Sequence, residues 1–259
     1  MARERLSLVV TTYNNVNTLA RCLDSARCAD EIVVLDSGST DGTVDVARQR
    51  GARIAHQPFH GYAEQKQKAI DLAESNWVLL LDADEALTPQ ADHLIAQVML
   101  EPQVRGYRLP RREQMFWSFQ HPLSRMNTHL RLFDRRAGRM NQAPVHAAPE
   151  VRGRVRVLRG AVFLHYGEPD IATKVGKLNA YSSGMATRER ASRVRFVRTR
   201  MILYPPFFFL RQYVWKRYFL SGWAGYISAA SGAYYVFIKY AKLYERRQLT
   251  HSGRRPPKP

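Results

Sequence analysis

The first 100 residues predict an α/β fold in which helices cover both faces of a mostly parallel sheet. Short apolar runs alternate with helical segments there, and the connections between them are short. Three of the runs end in polar side chains, namely Thr12 with Tyr13, Asp36, and Asp82 with Asp84. Ligands of such sheets bind beyond the carboxyl ends of the parallel strands. We therefore expect these five residues to lie around one site.

The strands are predicted from continuous apolar runs, because a strand buried on both faces lacks polar alternation. The helices are predicted where apolar residues recur every three or four positions after a capping residue. Thr18 is one predicted N-cap, and Thr88 is another, with Pro89 in the first turn of its helix. The predicted strands are 6–12, 31–36, 53–56 and 77–85, the last ending in acids, and the predicted helices follow Thr18, cover 44–50 and 62–74, and follow Thr88.

The fourth strand carries the clearest chemical signal, because its apolar run from Trp77 leads into Asp82, Asp84 and Glu85. Carboxylates cannot stay buried without a partner. The strand should therefore deliver these acids to an edge of the sheet where they meet a cation. Alternation along a strand predicts that Asp82 and Asp84 point the same way.

The remainder of the chain follows other patterns. Strand-like runs at 107–109, 130–133, 155–158 and 161–164 are separated by Arg, Gly and Pro, and they predict a mixed-sheet extension. Residues 171–200 are helical and basic, and residues 201–210 form an aromatic run that we expect Pro205 and Pro206 to interrupt. The predicted divisions of the chain are 1–104, 105–170, 171–250 and a frayed tail at 251–259.

Charge is distributed unevenly along this chain, whose formal net charge is +18. Residues 1–100 hold 9 Lys or Arg and 14 Asp or Glu, whereas residues 188–259 hold 16 and 2. A basic terminus of this kind meets nucleic acid, an anionic membrane or a phosphorylated acceptor. Cys22 and Cys28 have no further ligands nearby, so we expect reduced thiols rather than a metal site. The N-terminus enters a strand directly, and no secretory signal is predicted.

Residues 219–238 are uncharged and flanked by Lys and Arg, a length that just spans a bilayer. Serine and glycine dilute the hydrophobicity of this segment, and its Trp and Tyr residues are typical of a membrane interface. Attachment to the membrane surface, or re-entry, is therefore favoured over a true span. A helix pair packed on the protein is the other alternative.

Three motifs together resemble those of family 2 glycosyltransferases of the GT-A fold, a doubly wound, Rossmann-like sheet. They are Val10-Thr11-Thr12-Tyr13-Asn14, then Val34 to Thr43 with Asp36-Ser37-Gly38-Ser39, and then Leu81-Asp82-Ala83-Asp84-Glu85. The chain most resembles the group that contains lipopolysaccharide-core β-1,4-glucosyltransferases. The similarity is strong over residues 6–90 and continues more weakly through His146, His165 and Lys177 to Tyr181.

This resemblance implies roles for individual residues. Thr12 and Tyr13 would bind the nucleotide, Tyr13 by stacking on the base, and Asp36 would accept a hydrogen bond from the base. Asp82 would contact the ribose or the metal, and Asp84 would bind Mg²⁺ or Mn²⁺ at the donor's diphosphate. Lys66 would reach that diphosphate, although a solvated helix face explains Lys66 equally well.

An inverting transferase also needs a carboxylate that deprotonates the acceptor hydroxyl. Similar proteins often place an acid directly after a Val-His pair, and here the first acid after Val145-His146 is Glu150, which is displaced by three positions from that pattern. Glu150 is therefore the favoured base, with Glu113 and Asp134 as alternatives. His146 and His165 would orient the substrate or reach the metal, unless they are structural.

The predicted function is metal-dependent, inverting sugar transfer from a nucleotide sugar, with a UDP-sugar expected, to an envelope glycolipid such as the lipopolysaccharide core. The acceptor-side region would be 105–170, and the basic segment 171–250 would hold the protein at the cytoplasmic face of the inner membrane. Another polysaccharide or a protein is an alternative acceptor. A nucleic-acid-binding protein is an alternative of another class, but it leaves the acidic strand ends unexplained, so no nucleic-acid partner is expected. A nucleotidyltransferase would need a Gly- and Lys/Arg-rich loop after the first strand, which Thr12-Tyr13-Asn14-Asn15 is not.

Overall fold

The computed structural model describes residues 3–141, 147–167, 169–186 and 194–252. These residues form two compact units. The first unit contains the described residues up to Arg112 together with Met126–Tyr166. The second unit contains Glu113–Arg125 together with the described residues from Gly167 onward.

Strands dominate the first unit, and long helices dominate the second. The strands are β1 (Leu6–Thr12), β2 (Glu31–Asp36), β3 (Arg53–His56), β4 (Trp77–Asp82), β5 (Glu85–Leu87), β6 (Gly106–Met115), β7 (Ser118–Phe119), β8 (Asn127–Asp134), β9 (Gly138–Met140), β10 (Pro149–Val151), β11 (Val155–Val157) and β12 (Phe163–His165). The helices are α1 (Leu19–Ser25), α2 (Thr43–Gln49), α3 (Tyr62–Asp71), α4 (Pro89–Val98), α5 (Ile171–Ala186), α6 (Val197–Leu210) and α7 (Gly222–His251). A π-helical turn (Arg211–Trp215) and a 3-10 turn (Tyr218–Ser221) lie between α6 and α7.

The central sheet has the strand order β3-β2-β1-β4-β8-β6-β12-β5, and β9 pairs with β10 as a separate hairpin. Strands β3, β2, β1 and β4 are mutually parallel, whereas β8 runs antiparallel to both β4 and β6. The predicted parallel sheet and its mixed extension are thus parts of one continuous sheet.

Apolar side chains of β1 alternate between the two faces of this sheet. Leu6, Leu8 and Val10 belong to a core that includes the buried residues of α1 and α4. Val9 belongs to a second core, which includes Ala69 and Ile70 of α3. Burial on both faces explains why these strands are continuously apolar in the sequence.

The sequence located the elements of the parallel half closely. The predicted bounds of β1, β2 and β3 are confirmed, and the Thr88 hydroxyl caps α4 by accepting a hydrogen bond from the Ala91 amide at 3.2 Å. Thr18 occupies the N-cap position of α1, but its side chain makes no capping hydrogen bond. Cys22 and Cys28 are buried free thiols as expected, and burial raises the pKa of both.

The second unit contains a helix that was predicted incorrectly from the sequence. Pro205 and Pro206 lie inside α6, so the predicted interruption of residues 201–210 is wrong. Helix α6 packs along α7, where Val197 joins Val236, Tyr240 and Leu243 in a buried cluster. Tertiary packing of this kind outweighs local helix propensity. None of the helices in the described part of the chain combines the length and the apolarity needed to cross a bilayer.

Candidate functional site

The carboxyl ends of β1, β2 and β4 meet at one edge of the sheet in the first unit. In the ladder Thr12 lies opposite Asp36, and Thr11 lies opposite Asp82. This register brings the polar ends of three parallel strands side by side. The convergence that the sequence predicted for Thr12, Asp36 and Asp82 is confirmed.

The loop after β1 is tied to the loop after β2. Asn14 has a left-handed backbone conformation, with φ of 52°. Its amide donates to the Ser39 hydroxyl at 2.8 Å, and its side-chain oxygen accepts from the Thr40 amide at 2.9 Å. These two bonds, which we call the Asn14 bridge, tie down the residue next to Tyr13, and Tyr13 itself is 59% exposed. An exposed aromatic ring at this edge of the sheet is available to stack on a flat ligand.

The Asp36 carboxylate is buried and is bound by its own loop. It accepts hydrogen bonds from the Gly38 amide at 2.8 Å and the Ser39 amide at 3.0 Å, and the His56 ring lies 3.6 Å away. Burial by itself would raise the pKa of Asp36, but the hydrogen bonds from Ser39 and Gly38 outweigh it and lower the pKa. Asp36 is therefore an ionised acceptor that also orders the loop after β2.

Asp82 lies between two cations. The Lys66 ammonium contacts one of its oxygens, and the Arg131 guanidinium donates to the other at 2.9 Å. Burial would raise the pKa of Asp82, yet the charges of Arg131 and Lys66 hold it well below its ordinary value. The expectation that the strand-end acids meet a cation is borne out for Asp82, and Lys66 faces this acid rather than solvent.

Glu85 and Arg131 form a buried ion pair that sequence reasoning missed. The Glu85 side chain has no exposed surface, it accepts a hydrogen bond from the Asp82 amide at 3.0 Å, and it contacts the Arg131 guanidinium. Burial raises the pKa of Glu85, and the nearby Asp82 charge adds to this effect. The available signal was a single Arg inside the apolar run Leu130-Arg131-Leu132-Phe133 of β8, because a buried strand accepts a charge only opposite a partner.

Asp84 lies beyond the end of β4 and meets a different partner from Asp82. The His165 Nε2 atom of β12 is 3.4 Å from the Asp84 carboxylate, and the Tyr166 amide donates to the Asp84 carbonyl at 2.8 Å. Both side chains are partly exposed. The Arg21 guanidinium lies over the Tyr166 ring, 4.2 Å from its centre. Because β4 ends at Asp82, the expected alternation does not continue to Asp84, which lies in the turn before β5.

A divalent cation would be held at this edge only if a bound ligand supplied further coordinating atoms. Among the residues described, no group of three or more His, Cys, Asp and Glu side chains is arranged to hold a metal ion. Asp82 is already neutralised by Lys66 and Arg131. Asp84 and His165 offer an oxygen and a nitrogen donor at partly exposed positions. Magnesium commonly binds through one or two carboxylates together with substrate phosphates and water, and Asp84 supplies one such carboxylate.

The candidate bases differ in exposure. Glu150 is exposed on β10 and accepts a hydrogen bond from the Asn141 side chain at 3.2 Å. The Asp134 side chain is fully buried between Arg105 and Arg136, and although burial would raise its pKa, hydrogen bonds from these arginines lower it. Glu113 belongs to the second unit. His146 lies outside the described residues.

Comparison with known proteins gives consistent matches. The family model described as "Glycosyl transferase family 2" matches residues 7–152. The "Lipopolysaccharide core biosynthesis glycosyltransferase LpsC" of Rhizobium meliloti (strain 1021) is 32% identical over 254 residues, which cover 94% of this chain and 93% of that protein. An uncharacterized glycosyltransferase of Rickettsia typhi is 28% identical and covers 93% of this chain and 87% of that protein. The crystal structure of glucosyl-3-phosphoglycerate synthase from Mycobacterium tuberculosis with Mn²⁺ and UDP is 25% identical, with a TM-score of 0.36 over 42% of this chain and 44% of that one.

Proposed function

This chain belongs to glycosyl transferase family 2 and has a GT-A-like mixed α/β sheet, and we propose that it transfers a sugar from a nucleotide sugar to a glycolipid with inversion at the anomeric carbon. The observation that carries this proposal is the convergence of Thr12, Asp36 and Asp82 at the carboxyl ends of adjacent parallel strands. Ligands of doubly wound sheets bind at this position.

The nucleotide would bind over the ends of β1 and β2. Tyr13 is exposed, and the Asn14 bridge fixes the residue next to it, which supports stacking of its ring on the base. Asp36 is ionised and already accepts hydrogen bonds from its loop, and a carboxylate retains further acceptor capacity for an N–H group of the base. Thr12 precedes Tyr13 and lies opposite Asp36 in the ladder, and it would form part of the floor of the proposed nucleotide site.

The diphosphate would bind at Asp84. Asp84 and His165 would supply two ligands to Mg²⁺ or Mn²⁺, and the diphosphate oxygens would complete the set. The bound cation would neutralise negative charge on the leaving nucleoside diphosphate. Asp82 would act beside it, either on the ribose or as a further ligand, with Lys66 and Arg131 fixing its orientation.

The base that we propose is Glu150. In an inverting transfer, the acceptor oxygen attacks the anomeric carbon opposite the leaving diphosphate, and a carboxylate removes the hydroxyl proton. The exposed carboxylate of Glu150 is accessible to a substrate, whereas the buried Asp134 is enclosed by two arginines. This difference in exposure supports Glu150 over Asp134.

The acceptor that we propose is the core of lipopolysaccharide. Its support is the similarity to LpsC over nearly the whole of both proteins. Residues 105–159 also contain 13 Lys or Arg and 3 Asp or Glu, an excess that suits phosphates and acidic sugars. Residues 171–250 would hold the enzyme at the cytoplasmic face of the inner membrane through their basic and aromatic side chains.

A transfer assay tests this proposal. Purified protein is incubated with UDP-, GDP- and ADP-sugars, with Mg²⁺ or Mn²⁺, and with lipopolysaccharide whose core is truncated. We expect one nucleotide sugar to release its diphosphate and to label the truncated acceptor, and a full-length core to remain unlabelled. Labelling of a protein or of a lipid-free polysaccharide instead would replace the proposed acceptor. Failure of every nucleotide sugar to react would contradict the proposed donor site.

A further inference from the structure

One face of α6 and of the turn that follows it is apolar and exposed. Leu203, Phe207, Leu210 and Val214 are 58%, 68%, 57% and 56% exposed. Their spacings of four, three and four residues place them on one side of a helix. The helix passes directly from Leu210 into the π-helical turn Arg211–Trp215, which carries Val214. We call these four side chains the α6 stripe.

The opposite face of α6 is apolar as well, but it is covered. Val197, Met201 and Phe208 pack in the cluster formed with α7. The contact is close, since a Cβ atom added to Gly232 of α7 would lie 2.6 Å from the Phe208 ring. A helix that is apolar on all sides is either buried or lies against lipid. Within the described chain α7 covers one side of α6, and the α6 stripe lies on the other, exposed side.

The stripe is surrounded by positive charge. Residues 194–217 contain six Lys or Arg and no Asp or Glu. Trp215, at the end of the stripe, is 64% exposed, and the Arg125 guanidinium lies 4.3 Å from the centre of its ring. Exposed Trp beside Lys and Arg is typical of the boundary between lipid and water.

We propose that the α6 stripe is the surface by which this protein lies on an anionic membrane. The inference narrows the attachment proposed above for residues 171–250 to one helix face, and it rests on that proposal. At about 1.5 Å per residue, α6 is roughly 21 Å long, whereas the hydrocarbon core is about 30 Å thick. With arginines at both its ends, the helix lies parallel to the membrane, with the stripe among the acyl chains and the cations at the headgroups.

Charge argues against a second copy of the chain as the occupant of this face. Pairing two stripes would bring the six cations of one copy against the six of the other. Anionic headgroups instead complement these charges. The same argument predicts that attachment weakens when salt screens the interaction.

The first test measures binding of the full chain to vesicles. Phosphatidylcholine vesicles are compared with vesicles of phosphatidylcholine and phosphatidylglycerol in equal parts, by co-sedimentation at low and high salt. We expect binding only to the anionic vesicles. The double substitution Phe207→Ser with Leu210→Ser should weaken it by about a hundredfold, since each apolar side chain contributes about tenfold. The matched control, Tyr234→Ser with Phe237→Ser on exposed positions of α7, should bind like the unaltered protein.

The possible outcomes distinguish membrane binding through the α6 stripe from the membrane attachment proposed for residues 171–250 as a whole. If the unaltered chain did not bind the vesicles, both the role of the α6 stripe and the proposed membrane attachment of residues 171–250 would be overturned. Normal binding by the stripe variant, or loss of binding by the α7 control, would overturn the stripe alone. A stripe variant that changes the oligomeric state without changing vesicle binding would assign this face to a second copy and overturn the proposal. Release of nucleoside diphosphate in solution is measured separately, so failure of the transfer reaction is recognised independently.

A second readout uses two of the three tryptophans in the described part of the second unit, which are Trp117, Trp215 and Trp223. Trp117 and Trp215 are similarly exposed, at 67% and 64%. On addition of anionic vesicles, tryptophan fluorescence should shift to the blue and become less accessible to acrylamide. Trp215→Phe should reduce both changes, whereas Trp117→Phe should leave both as large as in the unaltered protein. The reverse pattern would overturn the placement of the stripe in lipid.

Discussion

Replacing Arg131 by Met should destabilise the first unit more than any other single change at the sheet edge. The Arg131 guanidinium donates to Asp82 at 2.9 Å and contacts Glu85, whose side chain has no exposed surface. Methionine has a similar length and no charge. The substitution therefore leaves the Glu85 carboxyl buried without its principal cation, and it removes one of the two cations beside Asp82.

The structure sets the size of the effect. Removing one partner of a buried ion pair costs about 3–5 kcal/mol. The lower end applies here, because Asp82 keeps Lys66 and the Arg111 guanidinium lies 3.9 Å from Glu85. A loss of about 3 kcal/mol corresponds to a decrease of about 6–12 °C in the melting temperature of a domain of this size.

Urea denaturation followed by circular dichroism measures the change in free energy of unfolding. Because the cost comes from an uncompensated carboxylate, the double variant Arg131→Met with Glu85→Gln should be more stable than Arg131→Met alone. Arg108→Met is the control, since Arg108 is an exposed arginine of the neighbouring strand β6 and its loss should cost less than about 0.5 kcal/mol. The reasoning is refuted if Arg131→Met matches this control, or if Glu85→Gln gives it no recovery.

Three further predictions concern the donor loop, the acid stability and the base. Asn14→Gly keeps the left-handed backbone but removes the side-chain bond of the Asn14 bridge. The loss of one hydrogen bond of about 1 kcal/mol should raise the KM for the nucleotide sugar about fivefold, with little change in kcat. Asn14→Asp retains an acceptor and should behave like the unaltered enzyme; an equal KM in both variants would contradict this role. The lowered pKa of Asp134 stabilises the folded protein above its unfolded pKa of about 4, and this contribution is lost as the pH falls through the folded pKa. The difference in unfolding free energy between the unaltered protein and Asp134→Asn should therefore shrink between about pH 5 and pH 3, and a constant difference across that range would count against it. Glu150→Gln should lower kcat by about 10²–10⁴-fold with an unchanged KM for the donor, and near-normal kcat would assign the base elsewhere.

The parallel half of the fold was predictable because its signals are local. Strands β1, β2 and β3 are bounded in the sequence by turn residues, and their apolar runs follow from burial on both faces. The position of Asp36 and Asp82 at strand ends then followed from parallel pairing alone. The turn at Asp84 was not predictable in this way, because the end of β4 depends on its pairing with neighbouring strands.

The partners of the acids were not predictable, because they are distant in the chain. Arg131 is 49 residues from Asp82, and only the antiparallel pairing of β8 with β4 brings the two together. The pairing of Asp84 with His165 likewise depends on β12 lying beside β5. The continuity of α6 was predicted incorrectly for a related reason. Local propensity predicts a break at Pro205 and Pro206, whereas the packing of α6 along α7 determines the helix.

The role of Asp84 in metal-dependent transfer is the central claim, and one measurement tests it most directly. Release of nucleoside diphosphate is measured against Mn²⁺ concentration for the unaltered enzyme and for Asp84→Asn, with Asp45→Asn, an exposed acid of α2, as the control. We predict that the unaltered enzyme and the control depend on Mn²⁺ equally. Asp84→Asn should lose about a hundredfold or more in rate and require more metal. Full Mn²⁺-dependent activity in Asp84→Asn would contradict the assignment of the diphosphate and its cation to this edge of the sheet.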